Sequence, residues 1–147
     1  MPYLIKPLAR EQLNSIFAIE QSVQQHPWSV STIEQSFGAR SSNFAIEQQG
    51  HLAGYLFAQV IVDEAELLNI SVGKDYQRQG LAKALLTAWF EYLQKSSVSR
   101  CLLEVRKSNL GAIALYQHLG FTLDGIRKDY YPCVNGREDA YLMSRVI

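Results

Sequence analysis

The chain has 147 residues, with 14 Lys and Arg set against 14 Asp and Glu, 48% hydrophobic residues and 19% charged ones. That is ordinary globular composition for a single domain spanning 1–147, and it excludes a disordered chain. A formal net charge of zero argues against a protein held on nucleic acid by bulk electrostatics, and no recognisable RNA-binding motif appears.

Tyr3-Leu4-Ile5 reads as a short first strand. From Arg10 to Val23, the apolar positions Leu13, Ile16, Phe17 and Ile19–Glu20 recur at helical spacing. His26-Pro27-Trp28-Ser29 breaks that helix, and Ser29 or Ser31 caps a second one from Thr32 to Phe37, ended by Gly38. Asn43–Gln48 and His51–Val62 are strand-like runs joined by the turn signal Gln49-Gly50, hence a hairpin. Asp63-Glu64 turns the chain into a strand over Leu67–Val72. Gly80–Gln94 is a strong helix with a stripe of Leu81, Ala84, Leu85, Ala88 and Tyr92, flanked by Leu86, Trp89 and Leu93. A compact strand over Cys101–Val105 follows, then a helix over Asn109–Leu119 stopped by Gly120, then strands over Phe121–Ile126 and Ala140–Val146. The order β-α-α-β-β-β-α-β-α-β-β implies an α/β sheet, partly antiparallel, with helices on both faces. The unit from Leu67 to Val105 should be a right-handed parallel crossover.

Cys101 and Cys133 have no Cys or His at metal-ligand spacing and read as two reduced thiols, so neither a disulfide scaffold nor a metal site is expected. Met1–Pro7 lacks the apolar core of a signal peptide, and the longest apolar stretch, Leu52–Val62, falls short of the roughly 18–20 residues a spanning helix needs. The expectation is a cytoplasmic protein without a membrane partner.

The segment Asn69–Ala82 carries the clearest chemistry: a strand ends, a polar loop follows, and Gln77-Arg78-Gln79-Gly80-Leu81-Ala82 opens a long helix. The first N–H groups of a helix lack internal partners and favour an anion, and the small side chains of Gly80 and Ala82 leave the backbone approachable. Arg78 adds a guanidinium. The segment is neither a Rossmann fingerprint nor a P-loop, and a plain helix start explains it equally well. Asn109 reads as an N-cap, and Tyr116 shares a stripe with Ala112 and Leu119, the usual sign of core. Glu104 is out of place in the apolar run Cys101-Leu102-Leu103-Glu104-Val105. In a sheet covered on both faces such a carboxylate is costly unless it is paired or opens on a cleft, and the cleft is favoured over a solvated patch.

Gln77–Ala82 resembles the pyrophosphate-loop signature of the GCN5-related N-acetyltransferase (GNAT) superfamily, with Ala82 where many members carry Gly. The run Asn109, Ala112, Tyr116, Gly120-Phe121 resembles its second signature. Pro27-Trp28-Ser29, Asp63–Val72, Leu103–Asn109, Asp129–Pro132 and Glu138–Ala140 are similar to the branch of bacterial ribosomal-protein-alanine N-acetyltransferases.

The resemblance implies a mixed, mostly antiparallel sheet whose central parallel strands splay to hold acetyl-coenzyme A. It implies acetyl transfer to a protein's N-terminal amine, with the alanine of a small-subunit ribosomal protein as the expected acceptor. Backbone groups of Ile70, Ser71 and Val72 would pair with the pantetheine arm, and an N–H near Val72 would polarise the thioester. The turn of Arg78, Gln79, Gly80, Leu81, Ala82 and Lys83 would hold the pyrophosphate, and Asn109 would reach the pantetheine. Glu104 would be the base and Tyr116 the acid, with no covalent enzyme intermediate and neither cysteine acting as a nucleophile. Trp28, Tyr131, Glu138 and Asp139 would face the substrate. With Asp63, Glu64 and Glu66, the last two would form an acidic rim for a cationic peptide, although each alone reads as a solvated turn carboxylate. A lysine- or small-amine-directed acetyltransferase and a non-catalytic acyl-coenzyme A binder are the alternatives. Oligomeric state is not legible.

Overall fold

The computed structural model describes residues 2–147. Its strands are β1 (Leu4–Pro7), β2 (Phe44–Gln48), β3 (His51–Ile61), β4 (Glu64–Val72), β5 (Arg100–Arg106), β6 (Thr122–Cys133) and β7 (Gly136–Val146). Its α-helices are α1 (Leu13–Val23), α2 (Val30–Gln35), α3 (Leu81–Gln94) and α4 (Leu110–His118), and single 3-10 turns precede α1 and α3. The sequence of elements is the one expected. One seven-stranded sheet runs β1-β2-β3-β4-β5-β7-β6, and β4–β5 is the parallel pair in an otherwise antiparallel ladder.

That pair defines the molecule. Its register runs from Glu64↔Arg100 to Leu67↔Leu103 and ends there, although β4 continues to Val72 and β5 to Arg106. On the other side of β4, the pairing with β3 jumps from Ala58↔Leu67 to Phe57↔Asn69, leaving Leu68 as an extra residue. Such a bulge bends and twists its strand. It also reverses side-chain parity. Ala65 and Leu67 face the α3–α4 core before the bulge, and Ile70 and Val72 face the same core after it. Gly54, opposite Val72, holds β3 close to this region: a Cβ there would lie 2.7 Å from the Ser71 carbonyl oxygen.

Each face of the sheet has its own core. Leu81, Leu85, Leu86, Trp89, Phe90 and Leu93 of α3 and Ile113 and Tyr116 of α4 pack with Leu56, Ala58, Cys101, Leu103 and Val105. Ile16 of α1 and Ile33 of α2 pack with Ala45, Tyr55 and Phe57 on the opposite face. The α3 stripe is rotated from the expected one: Phe90 is buried, while Tyr92 is largely exposed with its ring edge against Phe44, 5.6 Å between centroids.

Several boundaries differ from expectation. Ser29 caps α2, accepting from the Thr32 N–H at 3.1 Å, so that helix begins at Val30. β4 starts at Glu64, three residues before the expected Leu67, because the tight turn, with Val62 at φ +59°, closes at Asp63. β6 and β7 extend far beyond the apolar runs into an exposed hairpin. Its pairing jumps from Arg127↔Ala140 to Tyr131↔Glu138 around Asp129, at φ +51°. Pro132 is tolerated because β6 is an edge strand. Among the described residues no helix is long and apolar enough to cross a membrane, and no group of three or more His, Cys, Asp or Glu could hold a metal ion.

Candidate active site

Beyond Leu67–Leu103 the sheet is open, and a cavity lies on each face of the opening. The first, of about 420 Å³, is on the α3–α4 face. Its walls include Ile70, Ser71 and Val72 of β4, then Arg78, Gly80, Leu81, Ala82 and Lys83 where α3 begins, then Asn109, Ala112, Leu115 and Tyr116 around α4. Arg78 (φ +64°) and Gly80 (φ +76°) give the turn its left-handed corners. Gly80 is the N-cap and offers no side-chain acceptor, so the opening N–H groups of α3 remain free for an anion. A Cβ added at Gly80 would meet no protein atom within 4 Å; the position borders open space. Gln77 holds the turn to β4, its Nε2 donating to the Val72 carbonyl at 3.0 Å.

The second cavity, of about 560 Å³, is lined by Glu20, Gln24, His26, Trp28, Asn69, Glu104, Arg106 and Tyr131 among others. Alternation along β5 builds it: Cys101, Leu103 and Val105 point into the α3–α4 core, so Glu104 and Arg106 project from the other face. The Glu104 side chain is 26% exposed, and Arg127 Nη2 lies 3.8 Å from its Oε1. This is the cleft expected for a mid-strand carboxylate. Ile70, Asn109 and Tyr116 line both cavities, so the two spaces meet at the gap. Tyr116 is 6% exposed, burial pushes its phenol up to about 12, and its hydroxyl has no hydrogen-bond partner among the described residues.

Arg106 is held on three sides. Its guanidinium lies 4.4 Å from the Tyr131 ring centroid, and Nη1 donates to the Pro132 carbonyl at 2.8 Å and to Glu138 at 3.2 Å. Burial, then the nearby Glu104 carboxylate, raises the Tyr131 phenol above its ordinary value. Hydrogen bonds from Ser108, then Arg106, hold the Glu138 carboxyl below its ordinary range.

Three expected site residues are not on a cavity wall. Gln79 turns toward β2, where its Oε1 accepts from Gln48 Nε2 at 2.8 Å. Glu138 is engaged with Arg106 and with the Ser108 N–H at 3.0 Å, and Asp139 accepts from the Asp129 N–H at 3.0 Å. The acidic rim is therefore not built: β7 uses these carboxylates to brace the hairpin that carries Tyr131. Asp63, Glu64 and Glu66 also lie away from the gap, at the end where β4 and β5 are still paired. Glu64 is 3.8 Å from Arg100, and Glu66 accepts from Gln59 at 3.0 Å. Asn109 caps α4, accepting from the Ala112 N–H at 3.3 Å, and lines both cavities. Both cysteines are free and line neither cavity, and burial raises the Cys101 thiol to about 12.

Glu20, Gln24, His26, Asn69 and Arg106 were missed. For Glu20 there was a signal, since it stands four residues after Ile16 on the core stripe of α1. For Asn69 the signal was its alternation with Ser71, already an expected site residue, on one face of β4.

Residues 10–121 match the model of the acetyltransferase (GNAT) family. Over 140 residues the chain is 46% identical to the [ribosomal protein bS18]-alanine N-acetyltransferase of Escherichia coli K12, covering 95% of each chain. It is 39% identical over 142 residues to the enzyme so named from Haemophilus ducreyi, covering 96% of this chain and 98% of that one. The crystal structure of the E. coli ribosomal-protein-S18-alanine N-acetyltransferase superposes with a TM-score of 0.96 at 44% identity, covering 99% of this chain and 94% of that one.

Proposed function

The chain belongs to the acetyltransferase (GNAT) family, and from that premise we propose that it moves an acetyl group from acetyl-coenzyme A to the N-terminal alanine of ribosomal protein bS18, with Glu104 as base and Tyr116 as acid. The observation that carries this reading is the opening beyond Leu67–Leu103, with Glu104 on one side and Tyr116 bordering both cavities.

The first cavity fits the coenzyme. The free N–H groups at the start of α3, with Arg78 and Lys83 beside them, suit a pyrophosphate, and the unpaired edge of β4 over 70–72 suits the amide-bearing pantetheine arm. When bound, acetyl-coenzyme A supplies a thioester carbonyl and a thiol leaving group. The rest of the chemistry falls to side chains. An N-terminal amine has an unperturbed pKa of about 7.7–8.0, so a weak base suffices to remove its proton. Glu104, open to the second cavity, receives that proton directly or through one water. Tyr116 keeps its phenol proton throughout the working range and gives it to the departing sulfur. Trp28 and Tyr131 wall the space that receives the first residues of the peptide.

The test is mass spectrometry of peptides with free N-terminal Ala, Ser, Thr or Met after incubation with acetyl-coenzyme A. The bS18 N-terminal peptide should be modified at its α-amine. Modification confined to internal lysines would overturn the reading.

A further inference from the structure

Glu20 takes no part in the chemistry above, yet it is 1% exposed and borders the second cavity. A carboxylate so buried is costly unless its oxygens are hydrogen-bonded, and here three donors reach them, at least one on each oxygen. Oε1 accepts from the Tyr55 hydroxyl at 2.6 Å and from Asn69 Nδ2 at 3.0 Å; Oε2 accepts from the Trp28 backbone N–H at 2.9 Å. One side chain thus joins α1 to β3, to β4 just past its bulge, and to the link between α1 and α2.

The last of these contacts is the informative one. Between the end of α1 and the Ser29 cap, residues 25–28 make one backbone hydrogen bond among the described residues, the one from Trp28 to Glu20. Pro27 has no N–H to offer, and Gln25 and His26 are exposed. The link nevertheless supplies His26 and Trp28 to the cavity wall, and the Trp28 ring rests on Phe57 with 5.4 Å between centroids. The same carboxylate sets the Asn69 amide. With Nδ2 donating to Glu20, Oδ1 is left to accept from Ser71 Oγ at 3.3 Å. Three donors tie this buried carboxylate to the frame, whereas Glu104 is the more open of the two to the cavity.

We propose that Glu20 is a positioning residue for the acceptor peptide: it tethers the Trp28 link so that the incoming N-terminal residue meets a fixed wall. The proposal rests on the reading that the second cavity takes the peptide.

Glu20→Gln tests it. The amide matches the carboxylate in size but turns one acceptor into a donor; its oxygen keeps the two donors Tyr55 and Asn69, so the Trp28 N–H is the one that loses its acceptor. KM for a bS18 N-terminal peptide should rise roughly tenfold, as expected for losing a hydrogen bond to a charged group. KM for acetyl-coenzyme A and the pH profile of kcat should stay as in the wild type. Tyr55→Phe, which leaves the Trp28 tether intact, should keep the peptide KM within about twofold. Amide hydrogen exchange provides a readout independent of turnover: Trp28 should be the protected amide of residues 25–28 in the wild type and lose that protection in Glu20→Gln. Equal rises in both KM values, a lost acidic limb in kcat, or a Trp28 amide unprotected in the wild type would each overturn the tether. If the wild type modified no N-terminal peptide, the function reading would fail, while exchange would still decide the tether; if Glu20→Gln did not fold, wild-type exchange alone would decide it.

Discussion

The two cavities that meet at the gap are built in opposite ways. The wall on the α3–α4 face comes mainly from one stretch of chain, 70–83, with α4 closing it, and its main offering is backbone: a bare helix start and an unpaired strand edge. The wall on the α1–α2 face draws side chains from α1, the α1–α2 link, β4, β5 and β6. A cofactor that never varies can be held by main chain, which changes little with sequence. A particular peptide N-terminus has to be selected by side chains, which do change. Damage to the first wall should therefore appear in the affinity for acetyl-coenzyme A, and damage to the second in the peptide KM, with little crossover.

The largest expected effects lie where the walls meet. Glu104→Gln and Tyr116→Phe should each lower kcat by roughly 10²–10⁴-fold with acetyl-coenzyme A affinity spared. The Glu104→Gln loss should shrink as pH rises above the amine's own pKa of about 7.7–8.0, because the amine then deprotonates unaided. Burial raises the Tyr116 phenol to about 12, so the protonated form persists to higher pH than in an ordinary tyrosine. Wild-type kcat should accordingly show no tyrosine-dependent fall near pH 10; a fall there that vanishes in Tyr116→Phe would overturn the raised phenol, whereas a Tyr116→Phe variant with unchanged kcat would remove Tyr116 as the acid.

A smaller effect tests the backbone wall alone. Gly80→Asn keeps a residue that tolerates φ +76° while adding bulk into open space. Acetyl-coenzyme A should bind roughly tenfold more weakly, about 1.4 kcal/mol by calorimetry, with the peptide KM unmoved. Gly80→Val is the poorer probe, since a β-branched residue at that φ adds about 1–3 kcal/mol of strain and lowers Tm as well. Unchanged coenzyme affinity in Gly80→Asn would place the pyrophosphate elsewhere.

The smallest effect separates bracing from charge selection on the peptide side. Glu138→Gln weakens a solvent-screened contact, so the peptide KM should rise less than about fivefold. If Glu138 acts by steadying Arg106 under Tyr131, the rise should be equal for Ala-Ala and Ala-Arg peptides and indifferent to salt. A rise confined to Ala-Arg and fading at high salt would restore the acidic rim.

The order of elements was legible because each carries its own periodicity, and the turn that opens α3 because a helix start announces itself locally. Glu104 was legible as a misfit within its own strand. What could not be read was set by partners distant in sequence. Glu138 looks like a rim charge until Ser108 and Arg106 close on it, and Gln79 like a loop donor until Gln48 claims it. The outer β6–β7 hairpin lacks apolar alternation, because its pairing depends on the bulge at Asp129 and on Arg137, whose Nε donates to the Asp129 carbonyl at 2.7 Å. Glu20 sat in plain view on an apolar stripe, but three donors on three other elements were needed to give it meaning.

The short parallel register between β4 and β5 also has a mechanical side. Among the described residues four pairs, Glu64↔Arg100 to Leu67↔Leu103, form the ladder joining the strands before the gap to those after it. A sheet so lightly stitched in the middle should open first along that seam, as a sub-global fluctuation in which β5, β7 and β6 part from β4 while each half keeps its own pairing. A molecule lying across the opening would act as the missing stitches. Acetyl-coenzyme A should therefore slow amide exchange on both strands at once, β4 and β5 alike, and raise the thermal midpoint in proportion to the logarithm of its concentration once saturating.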